Sequence, residues 1–504
     1  MVWLTDVTRR LPTVKRESSD PSLPDNLTFQ LRGGSRSLTL NLKRNHHINP
    51  NADVYFVRNL NDLESHLEKA INMENEDVAY YQDWQNGAFM TVRCVRRSDG
   101  QCNRVINGNV LIEERNYDLQ PAKTDITSRG FLADVPYLGS LYILRDQRNV
   151  QRTLSVTLED EATVSADKVE QEVKRRLRWN PEGERLSHIQ DSMLPSRNGK
   201  PLYNRDNLKQ VYYVELDVML DSSVWDYYSS LWQTNRGPVQ PDKVVKKLRQ
   251  LFCHIINGVD LRYQGIDDPS IDISVTLRKF YILQKLEQFN HNRSKVESAP
   301  GTDRIDVSKY LKDLSIWTYR YAKRSDHVML FTKYEIYGDD PDEDLNGLTN
   351  FDDICDRYYK TSIIQSRDYL FTTLTAAHEL GHSLGAFHDG EDEATACKAE
   401  DFFLMSSMDP VFDVNSEYSR NPWVFSNCSL DAFKQLAHKN KTCLNNVGTP
   451  YDEEEWKTFM TLQPGQEYSY NEQWSASKYM SLHDVYRSDN TRMLAGIYQG
   501  GKRN

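Results

Sequence analysis

Leu374-Thr375-Ala376-Ala377-His378-Glu379-Leu380-Gly381-His382-Ser383-Leu384-Gly385-Ala386-Phe387-His388-Asp389 carries two histidines four residues apart. On an α-helix that spacing puts both imidazoles on one face, where they can grip one ion. Gly385 can adopt the positive φ that ends a helix sharply, after which the chain turns and presents His388 as a third nitrogen ligand. Three neutral imidazoles leave one zinc position open for water, which marks a catalytic rather than a structural site. Glu379 stands beside that water as general base, able to take a proton as zinc lowers the water's pKa towards ~7 and to hand it later to a leaving amine. Phe403-Leu404-Met405-Ser406-Ser407-Met408-Asp409-Pro410 follows, in which a methionine can floor the three imidazoles. At this separation Met405, rather than Met408, is the expected Met-turn residue.

Outward from that stretch, Val211 to Asp221 is apolar at nearly every position and reads as a strand buried on both faces. Val244, Val245, Leu248, Leu251, Phe252, Ile255 and Ile256 recur at helical spacing, with Gly258 just past the end. Ile271–Leu277 and Val328–Phe331 read as further strands, separated by a helix around 307–322. Strands alternating with helices imply an α/β sheet sandwich. Residues 1 to about 200 read instead as strands and turns, with one helical stretch at roughly 61–75. The boundary falls in a linker near 180–207, after the basic run Arg175-Arg176-Leu177-Arg178.

The chain has 504 residues, which is the length of about three domains, and a net charge of −11. That charge argues against nucleic acid or an acidic membrane surface as the main partner. No run of 18 apolar residues is present, so no helical membrane span is expected. The first ten residues lack the apolar segment of a secretory signal, which taken alone points to the cytosol. Asn26, Asn292, Asn427 and Asn440, however, each open an Asn-x-Ser/Thr glycosylation triplet. Of the seven cysteines, Cys355, Cys397, Cys428 and Cys443 cluster in one third of the chain, Cys94 and Cys102 form a local pair, and Cys253 lies on the apolar face of its helix as a buried thiol.

Over about 208–447 these residues resemble a metzincin of the reprolysin or adamalysin-like branch, the ADAM-type and venom metalloproteases, with Asp389 after the third histidine as the branch's mark. Salivary metalloproteases of arthropods are similar in Tyr content and tail. The resemblance implies a catalytic domain with a twisted mixed sheet, a zinc-binding helix and a C-terminal subdomain at 208–447, preceded by a β-rich propeptide-like domain at 1–200. Residues 448–504 resemble a truncated or degenerate cysteine-rich region, with Trp474 where a cysteine is expected. It further implies disulfides Cys355–Cys443 and Cys397–Cys428, tying the zinc-helix region to a C-terminal helix Leu430–Lys439, and a structural calcium site on Glu215, Asp326, Asn446 and the Cys443 carbonyl. Each bridge would constrain the unfolded chain by roughly 3–4 kcal/mol.

Four cysteines in register with an extracellular family outweigh the missing signal, so the N-terminus reads as truncated or misassigned. Reduced thiols in a cytosolic enzyme are the alternative. The expectation is a secreted zinc endopeptidase, monomeric, made as a proenzyme inhibited by its own propeptide and acting on extracellular proteins. Cys94 among Arg93, Arg96 and Arg97 either fills the open zinc position as a thiolate or bonds to Cys102 across a hairpin. The rival reading is an extracellular binding protein, engaging haemostatic or matrix partners, in which hydrolysis is incidental.

Overall fold

The computed structural model describes residues 2–6, 23–33, 36–61, 64–70, 77–96, 102–112, 115–121, 140–146, 162–164, 209–231, 240–284, 304–338, 344–408, 420–439 and 441–445. The linker near 180–207, the basic run at 175–178 and the tail at 448–504 lie outside them, as do Asn292, Asn440 and Asn446.

In chain order the strands are β1 Val2–Asp6, β2 Asn26–Gly33, β3 Arg36–Arg44, β4 Ile48–Asn61, β5 Glu64–Lys69, β6 Val78–Asp83, β7 Ala88–Arg96, β8 Cys102–Ile112, β9 Arg115–Pro121 and β10 Ser140–Asp146. There follow β11 Ala162–Val164, β12 Gln210–Leu220, β13 Ile271–Leu283, β14 Arg304–Asp306, β15 His327–Thr332, β16 Glu335–Tyr337, β17 Asp344–Leu345, β18 Gly347–Asn350 and β19 Thr361–Gln365. The helices are α1 Ser222–Leu231, α2 Pro241–Gln264, α3 Val307–Tyr321, α4 Tyr369–Ser383 and α5 Asn427–Lys434.

Eight antiparallel strands close into a barrel in the order β1-β10-β9-β8-β7-β6-β3-β2. Alternation along each strand sends one set of side chains inward. That set includes Leu27, Phe29, Leu40, Tyr81, Met90 and Ile106, so side chains fill the interior. The second sheet runs β11-β18-β19-β15-β12-β13-β4-β5 and is mostly parallel, with β18 antiparallel to β19 and β5 antiparallel to β4. β12 lies in its middle, paired with β13 and β15, which accounts for its continuous apolar reading. On β13, Phe280 and Ile282 enter the core under α2 and α4, whereas Tyr281 points to the other face and meets Trp317 of α3 at 4.8 Å.

Three expectations are corrected. Over the described residues of 61–75, the expected helix is replaced by the end of β4 and by β5, because this segment finds a hydrogen-bonded partner in β4. Pairing with a neighbour overrides the local helix preference of its Glu and Leu residues. The C-terminal helix expected at Leu430–Lys439 is α5, starting three residues earlier at Asn427 because Ser426 accepts from the Ser429 amide as N-cap, and ending at Lys434 in a 3₁₀ turn. Among the described residues no helix is long and apolar enough to cross a membrane.

The barrel and the sheet sandwich meet along α2. Its Gly258, expected just past the helix end, lies inside it because the apolar face runs on through Val259, Leu261 and Tyr263, carrying the helix to Gln264. A Cβ there would lie 2.7 Å from Thr373 Cγ2 of α4 and 2.9 Å from Phe89 Cε2 of β7. In an exposed helix, Gly→Ala stabilises by about 0.5–1 kcal/mol. Gly258→Ala is expected to reverse that sign and destabilise by about 1–3 kcal/mol through overpacking, read by urea unfolding of the full chain; an unchanged or higher midpoint would show that the three elements do not touch as described.

Candidate metal centre and active site

Asp368 caps α4 by accepting from the amides of Leu370 and Phe371 at 2.9 and 3.2 Å. The helix is buried along almost its whole length, with Tyr263 of α2 donating its hydroxyl to the Ala377 carbonyl at 2.8 Å. Buried on this scaffold, His378 and His382 cannot turn away. Gly385, at φ +94°, ends the helix as expected, its amide donating to the His382 carbonyl and that of Ala386 to the Gly381 carbonyl. The chain then doubles back, and His388 arrives against the other two rings.

The three Nε2 atoms form a triangle with sides of 2.8, 3.0 and 3.2 Å. His378 Nδ1 donates to the Leu404 carbonyl at 2.6 Å and His382 Nδ1 to the Ala386 carbonyl at 2.8 Å, while His388 Nδ1 faces the Glu391 carboxylate at 3.4 Å. Carbonyl and carboxylate oxygens only accept, so each neutral ring carries its proton on Nδ1 and turns an Nε2 lone pair inward. Contacts among three such nitrogens are not hydrogen bonds. Nitrogens bound to one tetrahedral zinc at about 2.0–2.1 Å would stand roughly 3.3 Å apart, so the donor set fits that ion in type, tautomer and spacing.

Beneath the triangle, Met405 is fully buried, and a Cβ on Gly381 would come within 2.6 Å of its sulfur. Met408 is exposed. The turn carrying Met405 is fastened on both sides: the Asp389 amide donates to the Met405 carbonyl at 2.9 Å, and the Leu404 amide to the Val424 carbonyl at 3.0 Å. Asp389 in turn accepts from the Ser426 hydroxyl at 2.6 Å, linking the histidine turn to the cap of α5. Glu379 is buried beside the first residue of β18: a Cβ on Gly347 would collide with its carboxylate. β18 therefore passes directly over this carboxylate, so closely that a side chain at position 347 would displace it. Sequence reading missed Gly347, Ser426 and Glu391, since a single Gly, Ser or Glu has no spacing that would mark it.

The structure pairs Cys355 with Cys443 and Cys397 with Cys428, at Cα separations of 6.3 and 6.1 Å, and Cys94 with Cys102 across β7 and β8. Cys253 is a buried thiol in α2. Of the four positions expected around calcium, Glu215, Asp326 and Cys443 come together and Asn446 lies outside the described residues. The Glu215 amide donates to Asp326 Oδ2 at 2.9 Å, an Asp326 carboxylate oxygen lies within 4.8 Å of both sulfurs of the Cys355–Cys443 bridge, and Arg278 stands 3.6 Å from the Glu215 carboxylate. Asn26 and Asn427 are exposed.

The reprolysin (M12B) zinc metalloprotease family matches residues 212–448. This segment is a reprolysin domain. Similar proteins include a silkworm (Bombyx mori) disintegrin and metalloproteinase with thrombospondin motifs, 26% identical over 41% of this chain and 31% of its own length. A human relative, a disintegrin and metalloproteinase with thrombospondin motifs 10, is 30% identical over 29% of this chain and 13% of its own. Mouse disintegrin and metalloproteinase domain-containing protein 12 is 22% identical over 84% of this chain and 38% of its own. The chain thus spans well under half the length of these relatives. Metalloproteinase-II from Bacteroides fragilis superposes with a TM-score of 0.32 at 11% identity, covering 81% of this chain and 90% of that one, a likeness too slight to bear on the site. The matched family is one of zinc metalloproteases, and His378, His382 and His388 form a cluster that could hold such an ion.

Burial pushes the Asp326 carboxyl up to about 8, with the Glu215 carboxylate adding to it, and pushes Asp353 up to about 7, with Asp356 adding to it. Both hold a proton more tightly folded than unfolded, so the stability they contribute is complete below about pH 4 and is lost as pH rises through 7 to 8. His254 and His327, depressed by burial to about 4 and about 3, act in the opposite sense, but mainly below about pH 6.5. Between pH 6.5 and 8 these carboxyls dominate, opposed in part by Lys333, which burial depresses to about 8, and by the end of the histidine titration. The full chain in chelator is expected to lose about 1–2 kcal/mol of unfolding free energy over that interval; urea titrations that give the same value at both pH values would contradict the burial of these carboxyls.

Proposed function

We propose that the chain is a secreted, zinc-dependent endopeptidase that cuts extracellular proteins internally. The Nε2 triangle of His378, His382 and His388 carries this reading. Zinc held there would supply a Lewis acid that polarises the scissile carbonyl and makes water acidic enough to be deprotonated near neutral pH. Glu379 takes the proton from the attacking water and returns it to the departing amine, so no covalent acyl intermediate is needed. Its burial under β18 keeps the carboxylate aimed and limits access of bulk solvent. An extended substrate adds to the β18 edge, where main-chain pairing sets its register whatever its sequence.

The residues 1–200 act as propeptide and inhibitor in this reading. Support comes from β11, whose Ala162–Val164 backbone pairs in parallel with Leu348–Asn350 of β18 and so covers the edge a substrate would need. A thiol stopper is disfavoured, because Cys94 is bonded to Cys102 and Cys253 is buried. Three disulfides suit an oxidising compartment, and the exposure of Asn26 and Asn427 suits glycosylation there. Calcium at Glu215 and Asp326 would relieve the crowding of a half-buried and a buried carboxyl, with the Cys443 carbonyl and Asn446 completing the ligands. The soluble unit is proposed to be a monomer.

Casein cleavage by processed protein should fall by about 10²–10⁴-fold in Glu379→Ala, with one zinc per chain still bound. Equal cleavage by both forms would reject Glu379 as base and favour the incidental-hydrolysis, binding-protein alternative. Release of terminal residues without internal cuts would point to an exopeptidase instead.

A further inference from the structure

The reprolysin domain does not complete its own sheet. β13, thirteen residues long, pairs with β12 on one side and on the other with β4, from Leu277 opposite Ile48 and Lys279 opposite Asp53 through to Leu283 opposite Val57. The Leu277 amide donates to the His47 carbonyl at 3.0 Å. Ile48, Ala52 and Val54 are buried in the same apolar cluster as Val214, Phe252 and Phe280. Without β4, a long apolar strand would present a bare edge of amides and carbonyls to solvent, the arrangement that templates aggregation.

The polar contacts next to β4 point the same way. Asp260 of α2 is almost fully buried; Oδ1 accepts from the Val275 amide of β13 at 2.7 Å, and Oδ2 accepts from Asn45 Nδ2 at 2.9 Å and Gln82 Nε2 at 3.0 Å, both from the N-terminal region. Asn257 gives its side-chain amide to the Tyr81 carbonyl at 3.1 Å and accepts from Asn45 at 2.9 Å. Withdrawing residues 45–82 would strip a buried carboxylate and a buried amide of partners, which costs far more than breaking contacts at a wet surface.

We infer that the N-terminal region is a lasting structural partner of the reprolysin domain, through β4 and the Asn45–Asp260–Gln82 network, so that cutting the connection between them leaves a noncovalent two-chain enzyme. The inference rests on the proposed processing of the chain for its setting, not on catalysis. Activation then consists of freeing the β18 edge while the opposite edge, at β13, stays capped. The two regions of the sheet are separated by β12, β15 and β19, so the one can open without the other.

The test uses the full chain carrying Glu379→Ala, to prevent self-digestion, with residues 175–181 replaced by the recognition sequence of a site-specific protease. After complete cutting, size exclusion at micromolar and nanomolar concentration should show both fragments in one peak, separating only at the urea concentrations that unfold the uncut chain. Amide exchange at residues 279–283 should slow equally, within about twofold, in cut and uncut protein. Asn45→Asp, which sets a carboxylate against Asp260, should lower the urea concentration needed for separation. Elution of the N-terminal fragment on its own at micromolar concentration, with protection at 279–283 lost, would overturn the inference. Because no peptidase activity is read, that outcome would leave the zinc endopeptidase proposal standing.

Discussion

Each imidazole of the triangle gives its Nδ1 proton to an oxygen fixed elsewhere in the fold, and this turns three lone pairs onto one point. Three such nitrogens about 3 Å apart repel one another unless a cation lies between them. Much of the domain can be understood as holding them there. Tyr263 and the Asp368 cap fix α4, Gly385 turns the chain back, and the Met405 turn presses on Gly381 between the two helical ligands. Ser426, Asp389 and the Cys397–Cys428 bridge tie that turn to the C-terminal subdomain. His388 is the ligand outside the helix, and it alone meets a side-chain carboxylate rather than a main-chain carbonyl.

The same molecule keeps its two sheet edges in different states. At β18 a short strand of the N-terminal region adds in parallel beside Glu379, with only backbone pairing described. At β13 the partner is long, buried and backed by side-chain hydrogen bonds to Asp260 and Asn257. A weak cover over the chemistry and a strong one over the structural edge is an arrangement from which activity can be released without exposing the core.

The zinc helix, its turn, the Met-turn and the strands of the reprolysin domain were legible because spacing in the sequence maps directly onto helix faces and strand alternation. His378 and His382 are neighbours on a helix whatever surrounds them. The barrel's many strands were legible as strands, but its closure was not, since β1 meets β10 across more than a hundred residues. The membership of β4 in the catalytic sheet was hidden for the same reason, and β5 was misread as helix because its pairing with β4 is not encoded in its own composition. Gly347 shows the limit most clearly: the tightness of its site comes from a carboxylate 32 positions away that only folding brings beside it.

Zinc K-edge X-ray absorption of the full chain loaded with one equivalent of metal reads the centre without reference to substrate. Three nitrogen scatterers at about 2.0–2.1 Å plus one light-atom ligand are expected, falling to two imidazoles in His388→Ala. Sulfur in the wild-type shell, or fewer than three histidine nitrogens, would contradict the account.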